Sequence, residues 1–154
     1  MKFTAREDIE APIADVFAAL TDYDGFERAA MRRGAEVSRA SVKGAPEWQV
    51  AFTYRGKLRR LTIRQVTADR PGTLRFAATA KSVEGELAVD LVELGRKRTR
   101  MTVVTEVKPR TLAARLFLQS LKLARARMTR RYQTRVAQFA KMIEDRLRPP
   151  GSMG

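Results

Sequence analysis

The stretch Ile9-Glu10-Ala11-Pro12-Ile13-Ala14-Asp15-Val16-Phe17-Ala18-Ala19-Leu20-Thr21-Asp22 contains a change of hydrophobic period, and the order of elements can be read outward from it. Upstream, Met1 to Glu10 alternates, with Phe3, Ala5 and Ile9 on one face and Thr4, Arg6 and Asp8 on the other, as a half-buried strand does. Pro12 cannot donate to a strand ladder but suits the first turn of a helix. Ile13, Val16, Phe17 and Leu20 then recur at helical spacing, which predicts a helix to about Leu20. Thr21 to Gly25 reads as a turn and Phe26 to Met31 as a second short helix, which Gly34 stops before a strand carrying Val37 and Val42.

From Glu47 the period is two, with Trp48, Val50, Phe52 and Tyr54 on one face and Glu47, Gln49, Thr53 and Arg55 on the other. Gly56 marks a hairpin, Leu58 to Val66 returns, and Asp69-Arg70-Pro71-Gly72 is a turn before the alternating Leu74, Phe76 and Ala78. Segments Glu86 to Leu94 and Arg98 to Val107 follow, joined at Gly95-Arg96-Lys97. Short connections between the last six of seven predicted strands favour an antiparallel meander. Thr111 to Leu147 has no Gly or Pro and is rich in helix formers, so it reads as one long C-terminal helix, straight or bent. Its apolar stripe, which includes Leu118, Leu121, Met128, Tyr132, Val136 and Ile143, has to pack on something, and the sheet is the only partner large enough.

The chain has 154 residues, enough for one domain burying roughly two-thirds of its unfolded surface. Residues 1–148 are expected to form that domain, and 149–154, with two Pro and two Gly, a flexible tail. With no His and no Cys, Ser-His-Asp triads, thiol nucleophiles, Cys or His zinc sites and cysteine-ligated clusters are excluded, and no metal or cofactor is expected. No apolar run is long enough to span a bilayer, and a cytoplasmic location is the expectation. The net charge of +14 is uneven: residues 1–54 carry −2 and residues 55–154 carry +16. Such asymmetry points either to an anionic partner or to a merely soluble basic surface.

The element order, together with the Ala11-Pro12 step, the Val16-Phe17 helix and the Asp22 that follows it, resembles the START-like (SRPBCC) helix-grip superfamily. That superfamily includes polyketide cyclase/dehydrase-like proteins, lipid-transfer domains and birch-pollen allergens. The resemblance covers about residues 1–147 and implies an α+β helix-grip fold: a seven-stranded antiparallel sheet curved around a long C-terminal helix, with two short helices after the first strand. It also implies a cavity between sheet and helix for a hydrophobic small molecule. The inward candidates are Trp48, Val50, Phe52, Tyr54, Phe76, Ala78, Leu87, Val89, Met101 and Val103, which line a cavity or else close-pack as core.

Binding or carriage of a hydrophobic, anionic small molecule such as a lipid, isoprenoid or polyketide-like compound is the function this reading favours. The candidate ligand-binding residues are Trp48, Phe52, Tyr54, Phe76, Arg125, Met128 and Tyr132, and no catalytic residue is assigned. Arg125 is the anomaly, since it falls on the apolar stripe of the helix. It has to meet an acidic ligand group, pair with Glu7, Glu84 or Asp90, snorkel to the rim, or be turned outward by a bend. Two other classes stay open. Clusters at Arg55 to Arg60, Arg96 to Arg100 and Lys122 to Arg135 suit RNA or ribosome binding, although no aromatic reading motif accompanies them. A cyclase or dehydrase would have to work with Tyr, Glu, Asp or Lys as its acid or base. A second apolar line, Leu112, Leu116 and Leu123, flanked by Arg110, Arg115 and Lys122, is either packed on the sheet edge or a surface for an anionic membrane, a second copy or a lid.

Overall fold

A computed structural model describes residues 1–151. Its strands are β1 (Lys2–Ile9), β2 (Glu36–Val42), β3 (Ala45–Tyr54), β4 (Lys57–Asp69), β5 (Thr73–Ala80), β6 (Val83–Gly95) and β7 (Arg98–Pro109). They form one antiparallel sheet in the order β1-β7-β6-β5-β4-β3-β2, so the first strand closes the sheet beside the last. Helices α1 (Ile13–Leu20) and α2 (Tyr23–Arg32) lie between β1 and β2, and α3 (Leu112–Ser120) and α4 (Arg125–Leu147) follow β7. This is the α+β helix-grip arrangement that the resemblance implied.

The turns explain the meander. Lys43-Gly44 and Arg55-Gly56 each place two successive residues at positive φ, the geometry of a two-residue hairpin turn whose twist matches the flanking strands. At the β4–β5 turn, Gly72 is required by contact, because a Cβ there would lie 2.6 Å from the Leu91 carbonyl oxygen.

Two expectations are corrected. Helix α2 begins at Tyr23 rather than Phe26, because the Asp22 carboxylate caps it by accepting the Gly25 N–H at 3.2 Å. The C-terminal segment is not one continuous helix: a 3₁₀ turn, Leu121–Ala124, separates α3 from α4. Of the expected tail, residues 152–154 lie outside the described residues.

The core occupies one end of the sheet. Ile9, Val16, Phe17, Leu74, Leu91, Met101 and Ile143 are all buried there, along with Ala5 and Ala140. Small Ala140 beside Val136 and Ile143 lets α4 approach β1 and α1 closely. Polar bonds lock this end. Glu144 accepts the Glu10 N–H at 3.0 Å, Arg146 pairs with Asp22, and Asp8 is held by Arg100 at 2.9 Å and Arg98 at 3.1 Å. Thr99, fully buried, donates to the Ala11 carbonyl at 2.8 Å and so ties the start of β7 to the corner where β1 becomes α1.

Thr99→Val keeps the shape but leaves the Ala11 carbonyl unpaired in the core, and is expected to cost about 1–3 kcal/mol in a urea unfolding titration. A second expectation concerns pH. The Arg146 hydrogen bond, helped by the Gly25 N–H, holds the Asp22 carboxyl below its ordinary value. A group depressed on folding contributes stability above its unfolded pKa and loses it as pH falls through the folded one. The melting temperature should therefore drop between about pH 5 and pH 2, and Arg146→Ala should flatten that drop by lowering the plateau at neutral pH.

Candidate functional site

Strand register decides which side chains share the concave face. Directly paired residues lie on the same side, so Trp48, Val50, Phe52 and Tyr54 of β3 stand beside Ile63, Leu61, Arg59 and Lys57 of β4. On β5 and β6, Phe76 pairs with Leu87 and Ala78 with Gly85. The far half of this face is covered by the core helices. The near half, toward the β3–β4 hairpin, is left open beneath α2 and α3 and forms a cavity of about 1270 Å³. That exceeds the usual range for a drug-sized ligand and has room for a long chain or several fused rings.

All ten inward candidates line this cavity. Tyr23, Trp48 and Phe76 form an aromatic cluster in its wall, with Tyr23 edge-on to Trp48 at 5.0 Å and to Phe76 at 6.3 Å. Phe26 of α2 meets Phe139 of α4 at 6.0 Å. Tyr54 and Phe117, each more than half exposed, stand at the mouth on the hairpin and on α3.

The interior polar groups are mostly paired already. Glu27 accepts the Trp48 indole N–H at 2.8 Å and Arg39 at 3.1 Å, and the Tyr23 hydroxyl donates to Gln65. Burial pushes the Tyr23 hydroxyl up from its ordinary pKa, so it stays a neutral donor. At the mouth, Arg55 lies over the Tyr54 ring at 5.3 Å. Arg59 stands on the concave face opposite Phe52, and it enters no ion pair with a carboxylate among the described residues. Glu84 and Glu86 border the cavity, but alternation with Leu87 and Val89 directs them to the convex face.

The structure brings Trp48, Phe52, Tyr54 and Phe76 together around the cavity and leaves Arg125, Met128 and Tyr132 out of its lining. Arg125 shares the helical phase of the buried Ile143, about five turns further along α4, but it stands in the first turn of that helix, next to the 3₁₀ turn, where it is exposed to solvent. Tyr132 is a strut instead. Its ring stacks on Phe3 at 5.4 Å, and its hydroxyl, pushed up in pKa by burial, bonds Thr105 at 3.0 Å. Sequence reasoning missed Tyr23, Phe26, Arg59 and Phe117; counting back by twos from Ile63 would have found Arg59.

Residues 1–144 match the family described as polyketide cyclase / dehydrase and lipid transport. The chain belongs to that family. No curated protein matches the sequence. Among solved structures, this family member resembles a protein from Thermus thermophilus (TM-score 0.68, 16% identity, 96% of this chain and 100% of that one). It also resembles the ZhuI aromatase/cyclase from Streptomyces sp. R1128 (TM-score 0.67, 16% identity, 99% of each chain). A START superfamily protein from Mycobacterium smegmatis aligns with TM-score 0.56 and 12% identity over 84% of this chain and 95% of its own. At such identities the likeness is one of fold. For this polyketide cyclase/dehydrase and lipid-transport family member, the START-like assignment and the helix-grip fold therefore stand together. No helix among the described residues is long and apolar enough to cross a membrane.

Because the concave face is open around Ala78, Ala78→Phe should be accommodated, changing unfolding free energy by less than about 1 kcal/mol. Ala140→Phe, which overpacks the filled half, should cost about 3 kcal/mol or more in the same urea titration.

Proposed function

We propose that this protein binds and carries a hydrophobic small molecule with an anionic end, such as a long-chain or isoprenoid carboxylate. The observation that supports it is an apolar cavity with the concave-face guanidinium of Arg59 at its mouth and no carboxylate paired to it among the described residues. The chain of the ligand lies against Trp48, Phe52 and Phe76, where each methylene removed from water contributes about 0.8 kcal/mol. Tyr54 closes over its outer part. The Arg59 fork takes the carboxylate, and because that site is partly wet it sets orientation and selects charge more than it adds affinity. Carriage is favoured over catalysis because the Tyr23 hydroxyl in the cavity wall is already bonded to Gln65 and burial keeps it neutral, while the Tyr132 hydroxyl lies outside the lining, bonded to Thr105.

Native mass spectrometry of freshly purified protein should show a hydrophobic species bound one to one. With the protein delipidated, Arg59→Leu should weaken a long-chain carboxylate about tenfold, or 1.4 kcal/mol, and leave its methyl ester unchanged. Phe52→Ala should weaken both, and Arg125→Leu neither. Equal binding of acid and ester by the parent protein would remove the anionic-end assignment, and turnover of a supplied polyketide-like chain would replace carriage with catalysis.

A further inference from the structure

The two lips of the cavity mouth have the same unusual composition. On the helical lip, Leu112, Leu116 and Leu123 recur at steps of four and seven, and they are 71%, 57% and 101% exposed. Phe117 beside them is also exposed and reaches into the cavity lining. On the opposite lip, the tip of the β3–β4 hairpin presents Tyr54 on its concave face and Leu58 on its convex face, again more than half exposed. Large apolar side chains gathered this way on a monomer surface mark an interaction site.

The charge around them has one sign. Between Glu106 and Glu144 the chain has ten Lys or Arg and no acidic residue. On α3 and the 3₁₀ turn these include Arg115 and Lys122, both exposed and flanking the leucine line. The hairpin adds Arg55, Lys57 and Arg60, and there is no acid from Tyr54 to Ala68. Both lips belong to the same end of the sheet, since Arg110, which leads into α3, donates its backbone N–H to Ser82 in the β5–β6 turn at 2.7 Å. Meander geometry places that turn at the end where the β3–β4 hairpin also turns.

We infer that the mouth of the cavity is a docking surface for an anionic lipid bilayer, with Leu112, Leu116 and Leu123 entering the acyl boundary and the flanking cations held by the head groups. A second copy of the chain fits poorly, because a two-fold contact through this face would set cations against cations. RNA would satisfy the cations but give the leucines nothing apolar to contact. A bilayer with acidic head groups satisfies both at once, and both lips can touch it with the mouth facing the lipid. The surface is built from α3 and the hairpin alone and does not depend on what the cavity holds.

The test is vesicle cosedimentation with delipidated full-length protein. Vesicles of phosphatidylcholine containing roughly one third phosphatidylglycerol should bind the protein about tenfold or more tightly than phosphatidylcholine alone. The double variant L116E/L123E should lose that binding about tenfold or more, with an unchanged circular dichroism spectrum and unchanged binding of the soluble long-chain carboxylate. Lys122→Gln, which leaves the leucines in place, should weaken binding by a smaller factor and reduce its sensitivity to salt. Absence of binding to the anionic vesicles would overturn the inference, as would equal binding to neutral vesicles or retention of binding by L116E/L123E. Failure of the parent protein to bind the long-chain carboxylate, with anionic vesicles bound as expected and released by L116E/L123E, would instead strike only the proposed cargo.

Discussion

The packing of the last turns of α4 on β1 and α1 is the constraint from which the rest of the structure follows. Val136, Ala140 and Ile143 are buried against that edge of the sheet, and Glu144 and Arg146 fasten the same turns to Glu10 and Asp22. A helix held there cannot also cover β2 to β4. The concave face is thereby divided into a filled half, which supplies most of the apolar burial, and an open half. Thr99 and the Ala11-Pro12 corner serve the same division, since they set where α1 leaves the sheet and so where α4 can rest.

Most of this was legible because period two is a strong signal. The cavity-facing stretches of β3 to β7 alternate, with the register shifting only at Gln65/Thr67 in β4 and Glu93/Gly95 in β6, and a one-residue slip would turn an apolar set outward, so the inward side chains could be named without coordinates. The helix was harder. Leu121, Lys122, Leu123 and Ala124 are all good helix formers, and intrinsic propensity does not separate a 3₁₀ turn from an α-helical one. The stripe beyond the break still kept its face, since Val136, Phe139, Ile143 and Leu147 pack on the core as their spacing predicts. Spacing gives the face of a residue but not how far along the helix the cover extends, so Arg125 has the inward phase and stands exposed in the first turn of α4, while Tyr132 packs inward as a strut on Phe3 and Thr105 instead of lining the cavity.

Arg59 illustrates the converse. It sits in a basic run interrupted by one leucine, Lys57-Leu58-Arg59-Arg60, which reads as a solvated turn if composition alone is considered. Register separates its members: Arg59 shares a face with Phe52, whereas Arg60 pairs with Ala51 on the other side. Charge runs at hairpins therefore need the same alternation test as apolar runs, because two adjacent arginines can serve opposite faces of one strand.

The open half is kept open by its smallest residues. Ala78 pairs with Gly85 across β5 and β6, and Ala80 continues the row, so the floor of the cavity is low where its walls, Trp48, Phe52 and Phe76, are high. Larger side chains along that floor would bury more apolar area and fill the space. A chain shaped by stability alone would gain from them, as cores usually close to native density. That this one places alanine and glycine between aromatic walls, and then sets Arg59 and Arg55 at the rim, fits the ligand we propose for the cavity. The filled half has to supply the stability that the open half forgoes, chiefly through its apolar burial, and the hydrogen-bonded carboxylates Asp8, Asp22 and Glu144 lie at that end, away from the mouth.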